Sequence, residues 1–442
     1  MAANLKLINF DKFSEQLSQV TPYRVKGRVV ELTGLVVKAV VPNVRVGELC
    51  LIESPYHDPI KAEVVGFKDN TVLLMPLGEL EGIGPGHEVI PTGDCLRVPV
   101  GDELLGRILD GLGDPIDTDK KGPLKTKNFY PVQASPPDPL TRRRVLEPIS
   151  VGVKAIDSVL TCGEGQRLGL FAAAGVGKSV LMGMIARNTE AEINVICLVG
   201  ERGRELRDFL EQDLGEEGLK RSVIICSTSD QPSLVRSKAA YVATAIAEYF
   251  RDQGKKVLLM MDSVTRFARA LREIGLAVGE PPARQGFPPS VFSTLPRLLE
   301  RSGNSDKGSI TAFYTVLVEG DDMNEPVADE VRSILDGHII LSRDLANRGH
   351  YPAINVSESI SRVMTNIVDP EHEKAARKLK EVVANYEKER DLILIGAYES
   401  GSNPTVDYAI EKIDEVNTFL KQGMTEKFSL EQSVEMLKGI FY

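Results

Sequence analysis

Residues 171–179 read Phe-Ala-Ala-Ala-Gly-Val-Gly-Lys-Ser, between an apolar run and a helical pattern. The apolar run is Arg167-Leu-Gly-Leu-Phe171, and the helical pattern covers residues 180–187. A strand, a glycine-rich turn and a helix in this order form a phosphate cradle, because backbone N–H groups at the turn and at the helix N-terminus point at phosphate oxygens. A glycine-rich turn that binds nothing is the alternative, but Gly-Lys-Ser between a strand and a helix argues against it. The sequence therefore predicts a phosphate-binding loop.

The residue types in this loop predict ATP and Mg²⁺ as its ligands. Lys178 is expected to reach the β- and γ-phosphates, and the Ser179 hydroxyl to hold the magnesium ion. The strict pattern begins with glycine, whereas this chain has Ala172. Gly175 and Gly177 still allow the loop to turn tightly. The predicted nucleotide-binding residues of the loop are Gly175, Val176, Gly177, Lys178, Ser179 and Val180.

The composition is that of an ordinary globular protein, with 442 residues of which 42% are hydrophobic and 26% charged. This length is enough for two or three domains. The formal net charge is 53 − 63 = −10. A negative balance argues against nonspecific nucleic-acid binding, since that usually needs a basic face. We therefore predict no nucleic-acid partner.

The sequence also indicates a cytoplasmic location. No apolar run approaches the length of a membrane span, and the N-terminus, Met1–Leu7, lacks a signal-peptide core. The cysteines are odd in number, widely spaced and mostly in apolar context, and so they predict reduced thiols in a core. No pair of Cys or His residues has the spacing of metal ligands. The cysteines are Cys50, Cys95, Cys162, Cys197 and Cys226.

The N-terminal part of the chain predicts a small β-barrel. Short β-type runs between residues 25 and 97 are separated by glycine and proline, and even spacing with turn residues is typical of a barrel. A proline-rich linker follows and ends at Arg142-Arg-Arg144, which we interpret as a solvated linker or an interface element rather than a nucleic-acid patch. Ahead of the barrel, leucine and phenylalanine within residues 5–17 fit either an amphipathic helix, for a regulator or a membrane surface, or a loose terminus.

Strands and helices alternate from Leu146 to Asp369, which predicts a parallel sheet with helices on both faces. Beyond Pro370, apolar residues recur at helix spacing, and a C-terminal helical domain is expected. The candidate strands are Arg167–Phe171, Ile193–Val199, Ser222–Cys226, Val257–Met261, Ser309–Val318 and His338–Leu341. The predicted limits are 1–22 for the N-terminal segment, 23–98 for the barrel, 99–145 for the linker, 146–369 for the α/β domain and 370–442 for the helical domain.

Two acidic residues follow candidate strands of this sheet. Asp262 ends the apolar run Lys256–Asp262, where a carboxylate would complete the magnesium shell of a phosphate-loop site. Glu201 ends the run Leu198-Val-Gly-Glu201 and should emerge at the same edge of the sheet, where ligands of α/β sheets bind. A carboxylate there could orient and polarise the attacking water. A solvated acid at a helix start is an equal alternative for Glu201 on position alone.

Five stretches together resemble the ATPases of type III protein export. They are Gly175–Ser179, Gly200–Arg202, Asp262–Phe267, Pro288–Arg301 and Ser359–Val363. The family comprises the flagellar export ATPase and its virulence-secretion counterpart, which are relatives of the catalytic subunit of rotary ATP synthases. The similarity covers nearly the whole chain, from about residue 25 to the C-terminus. It implies an N-terminal β-barrel, a central RecA-like P-loop parallel sheet and a C-terminal α-helical domain, assembled as a hexameric ring.

The resemblance also implies roles for individual residues. Glu201 matches the catalytic carboxylate of the family, and Arg202 and Arg266 match positions near the γ-phosphate and the nucleotide. Tyr351 matches the aromatic that stacks on adenine, with a packed loop aromatic as the equal alternative. Arg362 matches the arginine finger that reaches a neighbouring subunit's γ-phosphate, with a surface arginine at a helix start as the alternative. The predicted catalytic set is Lys178, Glu201, Arg202 and Arg362, whereas Arg266 and Tyr351 are predicted to bind the nucleotide.

A homohexamer follows from where these residues lie. In rotary synthases the resemblance puts the catalytic glutamate and the trans-acting arginine on different subunit types. Here Glu201 and Arg362 are on one chain, so a ring of identical copies can build every site by itself. The contact in such a ring is head-to-tail and must close by rotation.

The resemblance further implies partners and leaves rival functions to weigh. Expected partners are a stator or regulator, a central stalk, chaperone–cargo complexes and, peripherally, the membrane surface. A subunit of a rotary ATP synthase is the first rival, although its non-catalytic type would have glutamine at the position of Glu201. A hexameric nucleic-acid motor is the second rival; it would need basic and aromatic residues, whereas aromatics are 6% and tryptophan is absent.

Overall fold

The computed structural model describes residues 25–56 and 58–442, and at Asp321 the backbone alone. The chain divides after Cys95 into two compact units. The predicted helix within residues 1–22 lies outside the described residues. In the second unit β7, Arg97–Val100, pairs with β9, Asn128–Pro131. The predicted domain limits stay predictions.

The first unit is a closed antiparallel barrel with the strand order β1-β2-β5-β4-β3-β6. Its apolar side chains alternate with exposed ones and fill the interior, as Val29, Val37, Cys50 and Val64 do. Closure leaves no free sheet edge within this ladder. The predicted barrel is confirmed. Its strands are β1 Gly27–Thr33, β2 Val36–Val40, β3 Glu48–Ile52, β4 Ile60–Lys68, β5 Thr71–Pro76 and β6 Glu88–Cys95.

The second unit is built on a sheet with the order β17-β16-β10-β15-β13-β11-β12-β8, and β14 pairs with β15. The central strands are parallel, whereas β17 and β14 run antiparallel to their neighbours. The predicted α/β class is confirmed, and each candidate strand begins and ends within two residues of its expected bounds. The strands are β8 Ile108–Leu109, β10 Arg167–Ala172, β11 Ile193–Glu201, β12 Ser222–Thr228, β13 Lys256–Asp262, β14 Gly303–Asn304, β15 Ser309–Leu317, β16 Gly337–Leu341 and β17 Ile360–Ser361.

Helices cover the sheet and form the C-terminal part of this unit. A π-helical segment, Phe209–Leu214, lies between two short helices. In the described part of the chain the helices are α1 Thr118–Lys121, α2 Lys154–Val159, α3 Lys178–Asn188, α4 Gly203–Asp208, α5 Gly215–Lys220, α6 Ser233–Asp252, α7 Val264–Ala277, α8 Pro289–Leu299, α9 Pro326–Ile334, α10 Arg343–Asn347, α11 Met364–Ile367, α12 Pro370–Leu394, α13 Pro404–Leu420 and α14 Leu430–Phe441.

The C-terminal helices begin at side-chain caps and share the apolar core of the sheet. Asp369 accepts from the His372 N–H at the start of α12, and Ser429 with Gln432 forms a capping box at the start of α14. The apolar residues of α12 to α14 belong to the same buried cluster as β10 and α3. The predicted C-terminal helical domain is confirmed. Within the residues described, no helix combines the length and the apolar character that crossing a bilayer requires.

The arginine triplet of the linker serves partly inside the fold. Arg142 donates to the Ser302 carbonyl at 3.1 Å, and Arg143 donates to the Ser305 carbonyl at 2.8 Å. These carbonyls lie beside β14, at the end of the sheet away from the phosphate loop. The two guanidinium groups therefore tie the linker to the start of the sheet within the chain.

Candidate active site

The strands β10, β15, β13 and β11 end at one edge of the sheet. Ala172 is level with Leu317, and Leu198 is level with Asp262. Since parallel strands place their carboxyl ends together, the residues that follow these strands face a common region. The phosphate loop after β10, Asp262 at the end of β13 and Glu201 at the end of β11 therefore meet, as the sequence predicts.

The phosphate loop takes the shape that its glycines permit. Gly175 and Gly177 have φ angles of 83° and 87°, in the left-handed region that favours glycine. Gly177 is the N-cap of α3, so that the first N–H groups of this eleven-residue helix face the loop. No residue of Ala172–Ala174 has a positive φ angle. Alanine at these positions therefore costs no backbone strain, and the departure from the strict pattern is accommodated.

Lys178 and Asp262 form a close ion pair at the centre of the site. The Lys178 Nζ also lies 3.9 Å from Glu201 Oε1. Asp262 is 4% exposed, and its Oδ1 accepts a 2.7 Å hydrogen bond from the Thr315 hydroxyl. The lysine thus bridges two carboxylates that stand on neighbouring strands. An ammonium held this way is positioned beside the loop and can turn from carboxylates to incoming phosphate oxygens.

Glu201 is a buried carboxyl between cations and a second acid. It is 8% exposed, and Arg266 Nη2 lies 3.2 Å from its Oε2. Burial, followed by the nearby Asp262 charge, raises the pKa of Glu201 to about 7, against the opposing influence of Lys178 and Arg266. A carboxyl with a pKa near neutrality suits proton transfer with bound water. The alternative of a solvated acid at a helix start does not fit this burial.

The Arg266 side chain is held by the backbone next to Glu201. Its Nη1 donates to the Gly200 carbonyl, and its backbone N–H donates to the Ser263 hydroxyl that caps α7. Gly200 has a φ angle of 67°, and a Cβ there would lie 3.0 Å from Arg266 Cδ. Glycine at 200 therefore lets the arginine side chain lie across the strand end. The Arg266 Nε is buried and has no hydrogen-bond partner in the described residues.

The donors needed for a magnesium ion lie at this edge. Ser179 is exposed in the first turn of α3, and the Asp262 carboxylate is held by Lys178 and Thr315. A hydroxyl and a carboxylate are the hard oxygen ligands that Mg²⁺ takes when phosphates and waters supply the rest. Among the described residues, no group of three or more His, Cys, Asp or Glu could hold a metal ion. The residues fit an ion that arrives with a phosphate.

Tyr351 and Arg202 lie at the margin of the site. The Tyr351 ring is beside the phosphate loop, since a Cβ built on Gly177 would lie 3.5 Å from its Cε1. The residue is 47% exposed, and so its ring is accessible from solvent beside the loop. Arg202 is directed to solvent, with its side chain 74% exposed and 3.6 Å from Glu205. The structure thus brings Tyr351 to the loop and leaves Arg202 outside the Lys178–Asp262 pair.

Arg362 lies at the opposite end of the sheet. Ser361 in β17 is level with Gly337 at the start of β16, whereas Ala172 is level with Leu341 at the far end of that strand. Arg362, one residue further on, is therefore about five residues from the end of β10, or roughly 17 Å at the rise of a strand. This is beyond the reach of an arginine side chain, and Arg362 is exposed. The structure does not bring it to the loop of its own chain.

Sequence reasoning missed Thr315 and Thr265. Thr315 is fully buried and donates to Asp262, while Thr265 accepts a 2.8 Å hydrogen bond from the Leu317 N–H and ties α7 to β15. The available signal for Thr315 was weak, since the strand Ser309–Leu317 also carries hydroxyls at Ser309, Thr311 and Tyr314. Its meaning depends on β15 lying between β10 and β13, and the chain order does not reveal that arrangement.

Comparisons with known sequences match the chain along its length. The nucleotide-binding domain of the ATP synthase alpha/beta family matches residues 152–361, and its beta-barrel domain matches residues 29–93. The C-terminal domain of the type III secretion ATPase EscN matches residues 368–439. A flagellum-specific ATP synthase of Bacillus subtilis is 55% identical over 422 residues, 95% of each chain. A type 3 secretion system ATPase of Xanthomonas euvesicatoria is 52% identical over 426 residues, 96% of each chain.

The chain belongs to the type III export ATPase family. The solved structure of the assembled ATPase EscN from enteropathogenic Escherichia coli agrees, with a TM-score of 0.89 and 48% identity over 94% of this chain and 99% of that one. This export ATPase is thus a P-loop enzyme that hydrolyses ATP in the service of a type III secretion or flagellar export apparatus. The two rival functions, a rotary synthase subunit and a nucleic-acid motor, are not favoured.

Proposed function

We propose that this export ATPase hydrolyses MgATP at the interfaces of a homohexameric ring. Each site takes Lys178, Asp262 and Glu201 from one protomer and Arg362 from the next. The observation that carries the proposal is the separation of these groups in the fold. The first three meet at one edge of the sheet, whereas Arg362 stands exposed near the other end, level with the start of β10. A single copy therefore holds an incomplete site and an unused arginine.

The residues of the loop bind and orient the triphosphate. Gly175, Gly177 and the start of α3 present N–H groups to phosphate oxygens, where the helix dipole also favours negative charge. When ATP enters, Lys178 exchanges its contact with Asp262 for the β- and γ-phosphates. Ser179 and Asp262 would hold Mg²⁺, which would neutralise the charge of the phosphates. The Tyr351 ring stacks on the base.

Glu201 orients the attacking water and accepts its proton. Its Oε2 is fixed by Arg266, so that one carboxylate oxygen remains to face the water. Arg266 also holds the strand end at Gly200 and keeps this carboxylate in place. Arg362 of the adjoining copy places positive charge on the γ-phosphate oxygens, an effect worth about 10³–10⁵-fold in rate. Its match to the family assigns Arg202 to the nucleotide site, although in a single copy its side chain is directed to solvent.

The partners of the ring are proposed from the family. EscN has been solved in complex with its central stalk EscO, a structure 47% identical to this chain over 94% of its length with a TM-score of 0.87. A stalk protein of this kind is therefore the first expected partner. Chaperone–cargo complexes, a stator or regulator and a cytoplasmic position at the membrane surface rest on the resemblance alone. In this scheme ATP hydrolysis unfolds cargo and releases it from its chaperone.

The assignment of Arg362 is tested by Arg362→Ala under saturating ATP. We expect kcat to fall about 10³-fold or more, because the γ-phosphate loses its trans-acting cation. The matched control is Arg377→Ala, which removes an exposed arginine of α12 whose side chain meets Glu373. The control should keep the activity of the parent protein. Wild-type turnover in Arg362→Ala would refute the assignment.

A further inference from the structure

The segment that carries Arg362 has little secondary structure of its own. β17 is the two-residue strand Ile360–Ser361 at the sheet edge. The Arg362 backbone N–H donates to the Asp336 carbonyl at 3.0 Å. Its Nη2 meets the Arg332 carbonyl, in the last turn of α9, at 3.4 Å. A ladder this short cannot by itself hold an arginine in a fixed direction.

A buried amide supplies the missing anchorage. Gln166 is fully buried, and its Nε2 donates to the Asp336 carbonyl at 3.0 Å and to the Ser361 hydroxyl at 3.1 Å. Its Oε1 accepts from the Gly163 N–H at 2.9 Å. The Ser361 hydroxyl donates in turn to the Thr161 carbonyl at 2.8 Å. Gln166 therefore binds the residue before Arg362 and the carbonyl that receives the Arg362 N–H.

Asp336 links this network to the strand of the phosphate loop. Its carboxylate accepts from Arg167 Nε at 3.0 Å, from Arg167 Nη2 at 3.1 Å and from the Arg167 backbone N–H at 3.1 Å. Bidentate pairs of this kind fix direction as well as distance. Gln166 and Arg167 stand at the start of β10, and the phosphate loop follows its end. The same strand thus supports the finger at one end and the loop at the other.

We propose that Gln166 is a positioning residue that holds Arg362 in the direction needed by the neighbouring protomer's nucleotide site. This inference rests on the proposed trans role of Arg362. A buried amide needs its hydrogen bonds, and an apolar side chain of similar size would fill the space without that requirement. What the amide adds is a defined geometry, since two of its hydrogen bonds hold the segment around Ser361 and another anchors the amide at Gly163. Misplacing a catalytic group by about 1 Å can cost 10²-fold in rate.

The test uses chains that complement each other within mixed rings. Lys178→Ala has a dead site and an intact finger, and Arg362→Ala has an intact site and no finger. Each is expected to be inactive alone, and their mixture is expected to hydrolyse ATP. Gln166→Leu is then added to the Lys178→Ala donor. We expect the mixture of this double variant with Arg362→Ala to lose activity, by up to about 10²-fold, with little change in the KM for ATP.

Asn194 provides the matched control. It is fully buried in the same sheet, and its Nδ2 donates to the Ala186 carbonyl at 2.9 Å and to the Ser222 hydroxyl at 3.2 Å. Asn194→Leu therefore removes the same kinds of hydrogen bond far from the finger. A donor carrying Lys178→Ala and Asn194→Leu should complement as well as Lys178→Ala alone. Thermal unfolding of both donors shows whether each is folded.

Should Gln166→Leu fail to fold, Ser361→Ala replaces it, because it deletes one hydroxyl of the network; Ser361→Thr keeps the hydroxyl and should restore complementation. Full complementation by the donor with Gln166→Leu, or by the folded donor with Ser361→Ala in its place, would overturn the positioning role. A different failure, no activity in the simple mixture of Lys178→Ala and Arg362→Ala, would remove the trans role itself and this inference with it. The two failures are thereby distinguishable.

Discussion

Glu201 stands under two opposed influences, and their balance sets when it can act. Burial and the Asp262 charge disfavour its ionised form, whereas Lys178 and Arg266 favour it. The result is a pKa of about 7 rather than the ordinary 4.5. A carboxyl that must accept a proton works only when ionised. In the proposed mechanism the pH therefore decides what fraction of sites is competent.

This titration gives a testable prediction. We expect kcat/KM to fall as the pH drops through about 7, with the slope of a single proton, because Glu201 becomes protonated. Arg266→Ala removes a cation that lowers this pKa, and so the midpoint should move to higher pH. Arg266→Lys keeps a positive charge and should move it less. The measurement is a pH–rate profile for the three proteins. A midpoint unchanged in Arg266→Ala would contradict the assignment.

The same shift predicts a stability effect, whose sign follows from linkage. Between about pH 4.5 and 7, Glu201 is more fully protonated in the folded state than in the unfolded state, because its pKa is higher in the folded state. Raising the pH through this window therefore destabilises the fold. Glu201→Gln removes the titrating group, so its unfolding midpoint should exceed that of the parent protein at about pH 8 and match it near pH 4.5. Scanning calorimetry at both values checks this, and an equal difference at both would be inconsistent with a raised pKa.

At the scale of elements, the local sequence pattern was sufficient to predict the strands and helices. It was not sufficient to predict the order of the strands in the sheet. Runs such as Arg167–Ala172 are apolar, bounded by turn residues and followed by helical periodicity, and so they could be predicted. The meeting of the phosphate loop with Asp262 and Glu201 also followed, because the ends of parallel strands converge. The contacts of Thr315 and Gln166 could not be predicted, since they depend on which strands are neighbours.

The position of Arg362 relative to the phosphate loop could not be predicted from the sequence either. Its motif suggested an arginine finger by resemblance, but no local pattern states how far it lies from the loop. That distance comes from the pairing of β17 with β16 and of β16 with β10. The three-dimensional register thus supplies the argument that a single copy is incomplete, and the sequence supplies the residue.

Helix α3, which follows the phosphate loop, packs closely against the π-helical segment Phe209–Leu214. A Cβ built on Gly183 of α3 would lie 2.6 Å from the Asp213 carbonyl oxygen in the π-helical segment. π-helical turns often occur near functional sites. Because the obstructing atom belongs to the backbone, it cannot swing aside as a side chain would. α3 and this segment can therefore approach as they do only with glycine at 183.

We further predict that Gly183→Ala destabilises the protein. Alanine should gain up to about 1 kcal/mol from helix propensity, but overpacking costs about 1–3 kcal/mol, so the net effect is a loss. Displacing α3 also moves Lys178 and Ser179, and ATP affinity should fall. Gly203→Ala is the control, since a Cβ there meets nothing within 4 Å. Thermal unfolding and nucleotide titration report both effects, and a Gly183→Ala protein as stable as the control would contradict the argument.

At the scale of the whole molecule, the fold places the phosphate-binding residues and the arginine finger on two different faces of one chain. The phosphate loop, Asp262 and Glu201 form one face, and Arg362 lies on the other, roughly 17 Å away along the strands. A head-to-tail contact between copies brings the two faces together, and repetition of that contact closes a ring. In the proposed mechanism each copy completes its neighbour's site, and catalysis depends on assembly.

This dependence predicts a loss of activity on dilution. At saturating ATP, the activity per chain should fall as the protein is diluted below the concentration at which rings persist, because separated copies lack the finger. Activity should therefore rise more steeply than in proportion to protein concentration. Mass photometry on the same dilution series reports the share of assembled copies, and activity should follow that share. Arg362→Ala serves as the control, since its residual rate has no finger to lose and should not depend on assembly. Constant activity per chain down to a demonstrably monomeric sample would mean that one copy suffices, and the shared site would have to be abandoned.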